Sequence, residues 1–148
     1  MTDRLQHRRP ESVLVVIHTR ARACLLLERV RPPGFWQSVT GSLHWGETPM
    51  DAARREVREE TGIAPQGLVD ARVSHTFTIL PHWRPEYGAD VVENTEHVWY
   101  LEIPDTCAVR LNPLEHTAYR WLPLDEAIGR VSSWTNREAF LTLRRESG

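Results

Sequence analysis

Between Gly41 and Ile63 the chain reads GSLHWGETPMDAARREVREETGI, and no other stretch restricts its folding as tightly. Pro49 suits the first position of a helix, where its missing N–H costs nothing. Thr48 can cap that helix with its hydroxyl, and Asp51 three residues on completes a capping-box pattern. Gly62 suits a left-handed exit after the last turn. Both ends of a helix over Pro49–Thr61 are therefore marked by local chemistry. At about 100° per residue, Glu56, Glu59 and Glu60 fall on one arc. Met50, Ala53 and Val57 cluster beside that arc and are expected to pack on a sheet. Asp51, Arg54 and Arg58 point toward water, and Arg55 lies one turn before Glu59, within reach of an i,i+4 pair.

Like charges on a short arc repel, by a few tenths of a kcal/mol for each close pair. A divalent cation would remove that cost. Hard oxygen ligands suit Mg²⁺, with Mn²⁺ able to substitute, and no cluster of Cys or His competes for zinc. Mg²⁺ typically binds through a few carboxylates plus substrate phosphates. Taken alone, the helix is more readily read as a solvated, charge-rich face.

The spacing of the whole stretch decides between these. It matches GX5EX7REUXEEXGU, where U is a bulky aliphatic residue, through Gly41, Glu47, Arg55, Glu56, Val57, Glu59, Glu60, Gly62 and Ile63. The chain thus resembles the Nudix hydrolases. That resemblance implies an α/β (α+β) fold with a mixed curved β-sheet between α-helices, a single domain over residues 1–148 and a signature segment at 41–63. It implies that Glu56, Glu59 and Glu60 bind the metal, that Gly41 makes a tight turn and that Arg55 orients a glutamate. The strings RRPESVLVVI, FWQSVTGS, NTEHVWYLEIP, LEHTAYRWL and SWTNREA are similar to the bacterial branch of that family that acts on dihydroneopterin triphosphate. Through this likeness Glu115 corresponds to an acidic position near the metals, as ligand or base. Arg8, Arg29, Thr40 and Ser133 correspond to substrate-contacting positions, as does the strand from Phe77 to Leu80. Each has a plainer alternative: Glu115 as a surface acid, Arg8 and Arg29 as solvated cations. His44 and His75 are expected to be structural, and His116 a supporting residue rather than a base. The tryptophans at 36, 45, 83, 99, 121 and 134 are expected in packing roles, although a fused ring could stack on one of them.

The activity this implies is Mg²⁺-dependent hydrolysis of dihydroneopterin triphosphate to the monophosphate and pyrophosphate. Glu59 or Glu115 would take the proton of the attacking water, and Arg8 and Arg29 would hold phosphate oxygens. A second reading is a nucleotide-pool pyrophosphohydrolase acting on dATP or an oxidised purine triphosphate. A third is a non-catalytic nucleotide-sensing module, against which the intact signature argues.

The remainder of the chain fits this picture. Ser12–His18 and Ala23–Glu28 read as buried strands joined by a turn at Thr19–Arg22. Further strands are expected at Phe35–Val39, Val69–Leu80, Glu96–Ile103 and Tyr119–Leu122, and a second helix at Ser133–Arg145. Arg31–Gly34 and Pro81–Asn94 read as loops. The net charge of −2 supplies no basic field for nucleic acid or anionic membrane, so bound phosphate must be held by local groups. No apolar run approaches the ~20 residues needed to span a bilayer, and the charged N-terminus does not read as a signal peptide. The expected setting is the cytoplasm, with a small-molecule triphosphate as partner, no nucleic acid or membrane, and a monomer or weak homodimer. Cys24 and Cys107 are far apart in the chain, and Cys24 reads as a small buried hydrophobe.

Overall fold

The computed structural model describes residues 7–147. Strand β1 (Glu11–Thr19) is its centre, buried along nearly its entire length. Val13, Val15 and Ile17 face one side, Leu14 and Val16 the other. This two-sided burial explains why SVLVVI reads as a continuous apolar run rather than an alternating one. β1 runs parallel to β6 (Glu93–Ile103) from Glu11↔Thr95 to Thr19↔Ile103. β5 (Val69–Thr78) lies antiparallel outside β6.

The other flank of β1 is divided. Its C-terminal end pairs with β2 (Ala23–Arg29) at His18↔Cys24, while its N-terminal half pairs with β4 (Val39–Ser42) from Ser12↔Ser42 to Val15↔Val39. β2 departs to pair with β3 (Trp36–Gln37) and β7 (His116–Pro123). The sheet therefore splits around β4, and a cleft opens there. The β1–β2 turn is closed by the Ala23 N–H donating to Thr19 Oγ1 at 3.0 Å, with Arg22 at φ 67°.

Helix α1 (Pro49–Thr61) covers one face of the sheet with Ala52, Ala53 and Val57. Helices α2 (Leu124–Arg130) and α3 (Trp134–Ser147) cover the other with Ala127, Ala139, Phe140 and Leu143. Fully buried side chains such as Phe140, Leu14 and Ile17 each contribute about 1.5–3 kcal/mol of transfer free energy. The result is a mixed sheet between helices, as expected. Among the described residues, no helix is long and apolar enough to cross a membrane.

Several expectations need correction. A single strand at Phe35–Val39 is replaced by two short ones on different partners, with Phe35 outside both. The break falls at Ser38, whose N–H donates to Asn136 Oδ1 at 2.8 Å instead of to a ladder. β5 ends at Thr78 rather than Leu80, and the following loop contains a 3₁₀ turn at Arg84–Glu86. Helix α2 went unforeseen: it is only seven residues long, follows Pro123 and buries Ala127 alone. Met50 does not pack on the sheet. It lies in the first turn, 38% exposed, in a shallow groove with Arg54 and Arg58. Trp36 and Trp99 are buried as expected, but Trp134 is 53% exposed.

Candidate active site

The caps of α1 form as their residues dictate. Thr48 Oγ1 accepts the Asp51 N–H at 3.2 Å, and Gly62 at φ 75° donates its N–H back to the Arg58 carbonyl. Between these ends the acidic residues separate by environment. Glu56 and Glu60 are buried, whereas the Glu59 side chain remains 55% exposed. Arg55 ties them together. Its Nη1 donates to Glu56 Oε1 at 2.7 Å and to Glu59 Oε2 at 3.2 Å. Its Nε and Nη2 grip Glu47 Oε2 and Oε1 at 2.9 and 2.8 Å, and Nη2 also reaches the Ser42 carbonyl at 3.0 Å. A guanidinium fork is needed for this set, since an ammonium lacks the planar geometry. The fork holds the Glu47 carboxyl down at about 2. Arg55 thus fixes Glu56 and also pins the loop entering α1.

Gly41 lies against the Glu56 carboxyl group, which a Cβ at this position would overlap. Only glycine lets strand β4 pass so near the helix.

Glu60 is 1% exposed, and neither carboxylate oxygen finds a donor among the described residues. Burial, with Glu56 beside it and Glu115 nearby, pushes its pKa well above the usual carboxylate range. Glu115 reaches the same place from the start of β7. The Asn112 turn presents it: the Glu115 N–H donates to the Asn112 carbonyl at 3.0 Å, and the Val30 N–H donates to the Glu115 carbonyl at 2.9 Å. Glu60, Glu115 and His116 offer ligand atoms within 4.8 Å of one another. Burial and the Arg29 cation hold His116 down at about 4, so it is neutral near pH 7. Its Nε2, 3.6 Å from Glu60 Oε1, therefore makes no ion pair there. The Gln37 side chain approaches the same nitrogen at 3.3 Å. Orphaned, buried carboxylate oxygens facing other acids suit a hard divalent cation, which would hold them in their charged form.

A cavity of about 580 Å³ is lined by Gly41 and Arg29, which adjoin these acids, and by residues 132–136 at the start of α3. Arg8, Arg29, Thr40, Phe77, Leu80 and Ser133, all expected to contact substrate, line it. Arg29 stands between cavity and acids, close enough for Glu60 and Glu115 to offset the effect of its burial. Its guanidinium lies 4.9 Å from the Trp83 ring centroid, and its Nε donates to the Arg31 carbonyl. Arg8 is partly exposed and pairs with Glu86 at 3.3 Å. Thr40 lines the wall, but its hydroxyl donates to the Val13 carbonyl at 2.9 Å. Ser133 Oγ accepts the Asn136 N–H at 3.1 Å and so caps α3. Trp134 is at the cavity wall, edge-on to His75 at 5.2 Å. Exposed His44 contributes no side chain to the acid cluster.

The inner end of the cavity holds groups that the sequence reading missed: Ser12, Asn94, Glu96, Thr135 and Asn136, all buried and polar. A signal for them exists. Asn94 and Glu96 are polar residues at i and i+2 on one face of a strand whose later members on that face, Val98 and Tyr100, are apolar.

Comparison with known proteins agrees with this geometry. The chain is 41% identical over 145 residues, 95% of each sequence, to dihydroneopterin triphosphate diphosphatase of Escherichia coli K12. It is 34% identical to the enzyme of the same name from Haemophilus influenzae, covering 92% of this chain and 88% of that one. The solved structure of the E. coli dihydroneopterin triphosphate pyrophosphohydrolase superposes with a TM-score of 0.87 at 39% identity, over 92% of this chain and 95% of that one. The NUDIX domain profile matches residues 8–143, a span that contains the capped helix, the Gly41 contact and the gathered acids. With its signature intact and its architecture shared, the chain belongs to the Nudix family of hydrolases.

Proposed function

We propose that this chain hydrolyses dihydroneopterin triphosphate to dihydroneopterin monophosphate and pyrophosphate, using Mg²⁺ held by Glu56, Glu59, Glu60 and Glu115. The observation that carries this reading is the set of orphaned Glu60 oxygens close to Arg29, which lines a cavity of about 580 Å³. The similarity to enzymes of that name selects the pterin among triphosphates.

A divalent cation at these carboxylates would supply positive charge to the polyphosphate and make the attacking water more acidic. The chain supplies the remainder. Arg29, held against Trp83 and facing both cavity and acids, receives phosphate oxygens, and Arg8 adds a second cation at the more exposed side. Water adds its oxygen to phosphorus, the P–O bond to the pyrophosphate leaving group breaks, and a carboxylate accepts the proton. Glu115 suits that last role: it is exposed, adjoins the cluster and has a pKa raised by partial desolvation and by Glu56 and Glu59. His116, neutral and buried, does not. Arg55 and Gly41 touch Glu56 and act by positioning it. A small-molecule enzyme of this kind would work in the cytoplasm.

The test is turnover of purified protein with Mg²⁺ on dihydroneopterin triphosphate, dATP and 8-oxo-dGTP, with the inorganic product identified. Release of pyrophosphate, at the highest kcat/KM on the pterin, is expected. Preferred cleavage of a purine triphosphate would replace the reading with nucleotide-pool hydrolysis, and release of orthophosphate would overturn the assigned bond.

A further inference from the structure

The inner end of the cavity carries a feature that triphosphate hydrolysis alone does not require. Glu96 and Asn94 project from the same face of β6, at 6% and 4% exposure, and both line the cavity. The Asn94 amide nitrogen donates to Ser12 Oγ at 2.8 Å, which leaves its carbonyl oxygen without a donor. Glu96 is hydrogen-bonded by Thr135, yet its Oε1 has no partner. Thr135 Oγ1 in turn lies 3.3 Å from Ser133 Oγ, so the hydroxyl that bonds the carboxyl is itself held at the start of α3. Buried polar groups in native proteins are almost always paired, because leaving one unsatisfied is costly. Here the two unsatisfied atoms are both acceptors, and both belong to residues that line the cavity. The end of the cavity is built to receive donors.

We propose that Glu96 is a specificity-determining residue that, with the Asn94 carbonyl, accepts hydrogen bonds from the ring N–H and the amino group on the donor edge of a 2-amino-4-oxo fused pyrimidine. The proposal rests on the pterin triphosphate reading and deepens it. A pterin presents a ring N–H next to a 2-amino group, two parallel donors that match one carboxylate. Guanine presents the same edge. Adenine presents a ring nitrogen acceptor beside its amino group and would set acceptor against acceptor. Discrimination then arises mainly from rejection, since a site built around hydrogen bonds excludes ligands that leave its buried groups unpaired. The edge of the bicycle meets Glu96 while the tail runs toward Arg29 and the acids, so the groups that select the ring stand apart from those that cut.

The experiment compares kcat/KM of wild type and Glu96→Gln on dihydroneopterin triphosphate, dGTP, dITP and dATP at saturating Mg²⁺. In wild type, loss of the 2-amino group from dGTP to dITP should lower kcat/KM about 10-fold or more. In Glu96→Gln the value for the pterin should fall about 100-fold, chiefly through KM, while that for dATP should rise about 3-fold or more, because the amide can donate to the adenine ring nitrogen. A folded variant, judged by its melting transition, with an unchanged pterin-to-dATP ratio overturns the assignment of Glu96. Equal use of dGTP and dITP by wild type overturns it as well, and settles the matter even if the variant does not fold. Failure of wild type to cleave the pterin triphosphate at all would instead overturn the underlying substrate reading.

Discussion

The acid cluster, drawn mainly from one 13-residue helix, meets the cavity through Gly41 and Arg29, whereas at the cavity's inner end the polar groups come from β1, β6 and the first turn of α3. The acidic end is held by a fork of strong, charge-assisted hydrogen bonds from Arg55. The inner end is held by neutral contacts such as Ser133 to Thr135 and Asn94 to Ser12. Both ends leave buried oxygens unsatisfied, but in different settings: Glu60 faces other acids, while Glu96 and Asn94 belong to the cavity wall. On the proposed reading, chemistry and selection fall in separate structural units, which should respond separately to substitution.

The sharpest break between them is Glu60→Gln. It removes a charge from the acid cluster without changing side-chain volume, and kcat should fall about 10³-fold or more while the melting temperature stays level or rises. Steady-state kinetics beside a thermal melt checks this; near wild-type turnover would refute the cluster as the reactive centre. Gly41→Ala should cost about 10²-fold in kcat by forcing Glu56 aside, with the pterin-to-dATP ratio unchanged, because misplacement by about an ångström is expensive near a reacting centre. A changed ratio would show that the two ends are coupled. Arg55→Lys should lower kcat about 10-fold and melt a few degrees early, since an ammonium cannot span Glu47, Glu56 and the Ser42 carbonyl together.

The smallest effect isolates the inner end. Burial pushes the Glu96 carboxyl up to about 7, from 4.5 for a free side chain. A raised carboxyl contributes stability that is fully present below pH 4.5 and is lost as pH rises through about 7. The folded state must then bury a charge that the unfolded state keeps in water. Glu96→Gln escapes this loss, so its advantage in melting temperature over wild type should grow from pH 5 to pH 8. The gap between 4.5 and about 7 limits that gain to about 3 kcal/mol. A gap in melting temperature that stays constant with pH would show that Glu96 is not desolvated.

The same contrast governs what could be read from sequence. Helix α1 was legible to its terminal residues, because Thr48, Pro49 and Gly62 act locally and Glu47, Arg55, Glu56, Glu59 and Glu60 have fixed spacing. Glu115 and the cavity-lining positions came only through resemblance, since spatial nearness across β2, β5, β7 and α3 leaves no periodic trace. Glu96 escaped notice because its strand reads as ordinary and its desolvation depends on α3 closing over it. Trp134, expected inside, stands in the cavity wall because α3 begins there and turns its first residue outward. Met50 failed for a related reason, as a helical wheel gives direction but not where the partner sheet ends.

Asn136 holds Ser38 from both sides, accepting its N–H at 2.8 Å and donating Nδ2 to its hydroxyl at 2.9 Å. Ser38 is three residues from Gly41, and Asn136 adjoins Thr135. The segment that abuts the acid cluster is thus bolted to the first turn of α3. If the ring lies against that turn as proposed, such a brace works as a ruler: it sets the span between ring and scissile bond in advance, so a tail one phosphate shorter or longer would bring the wrong atom under attack.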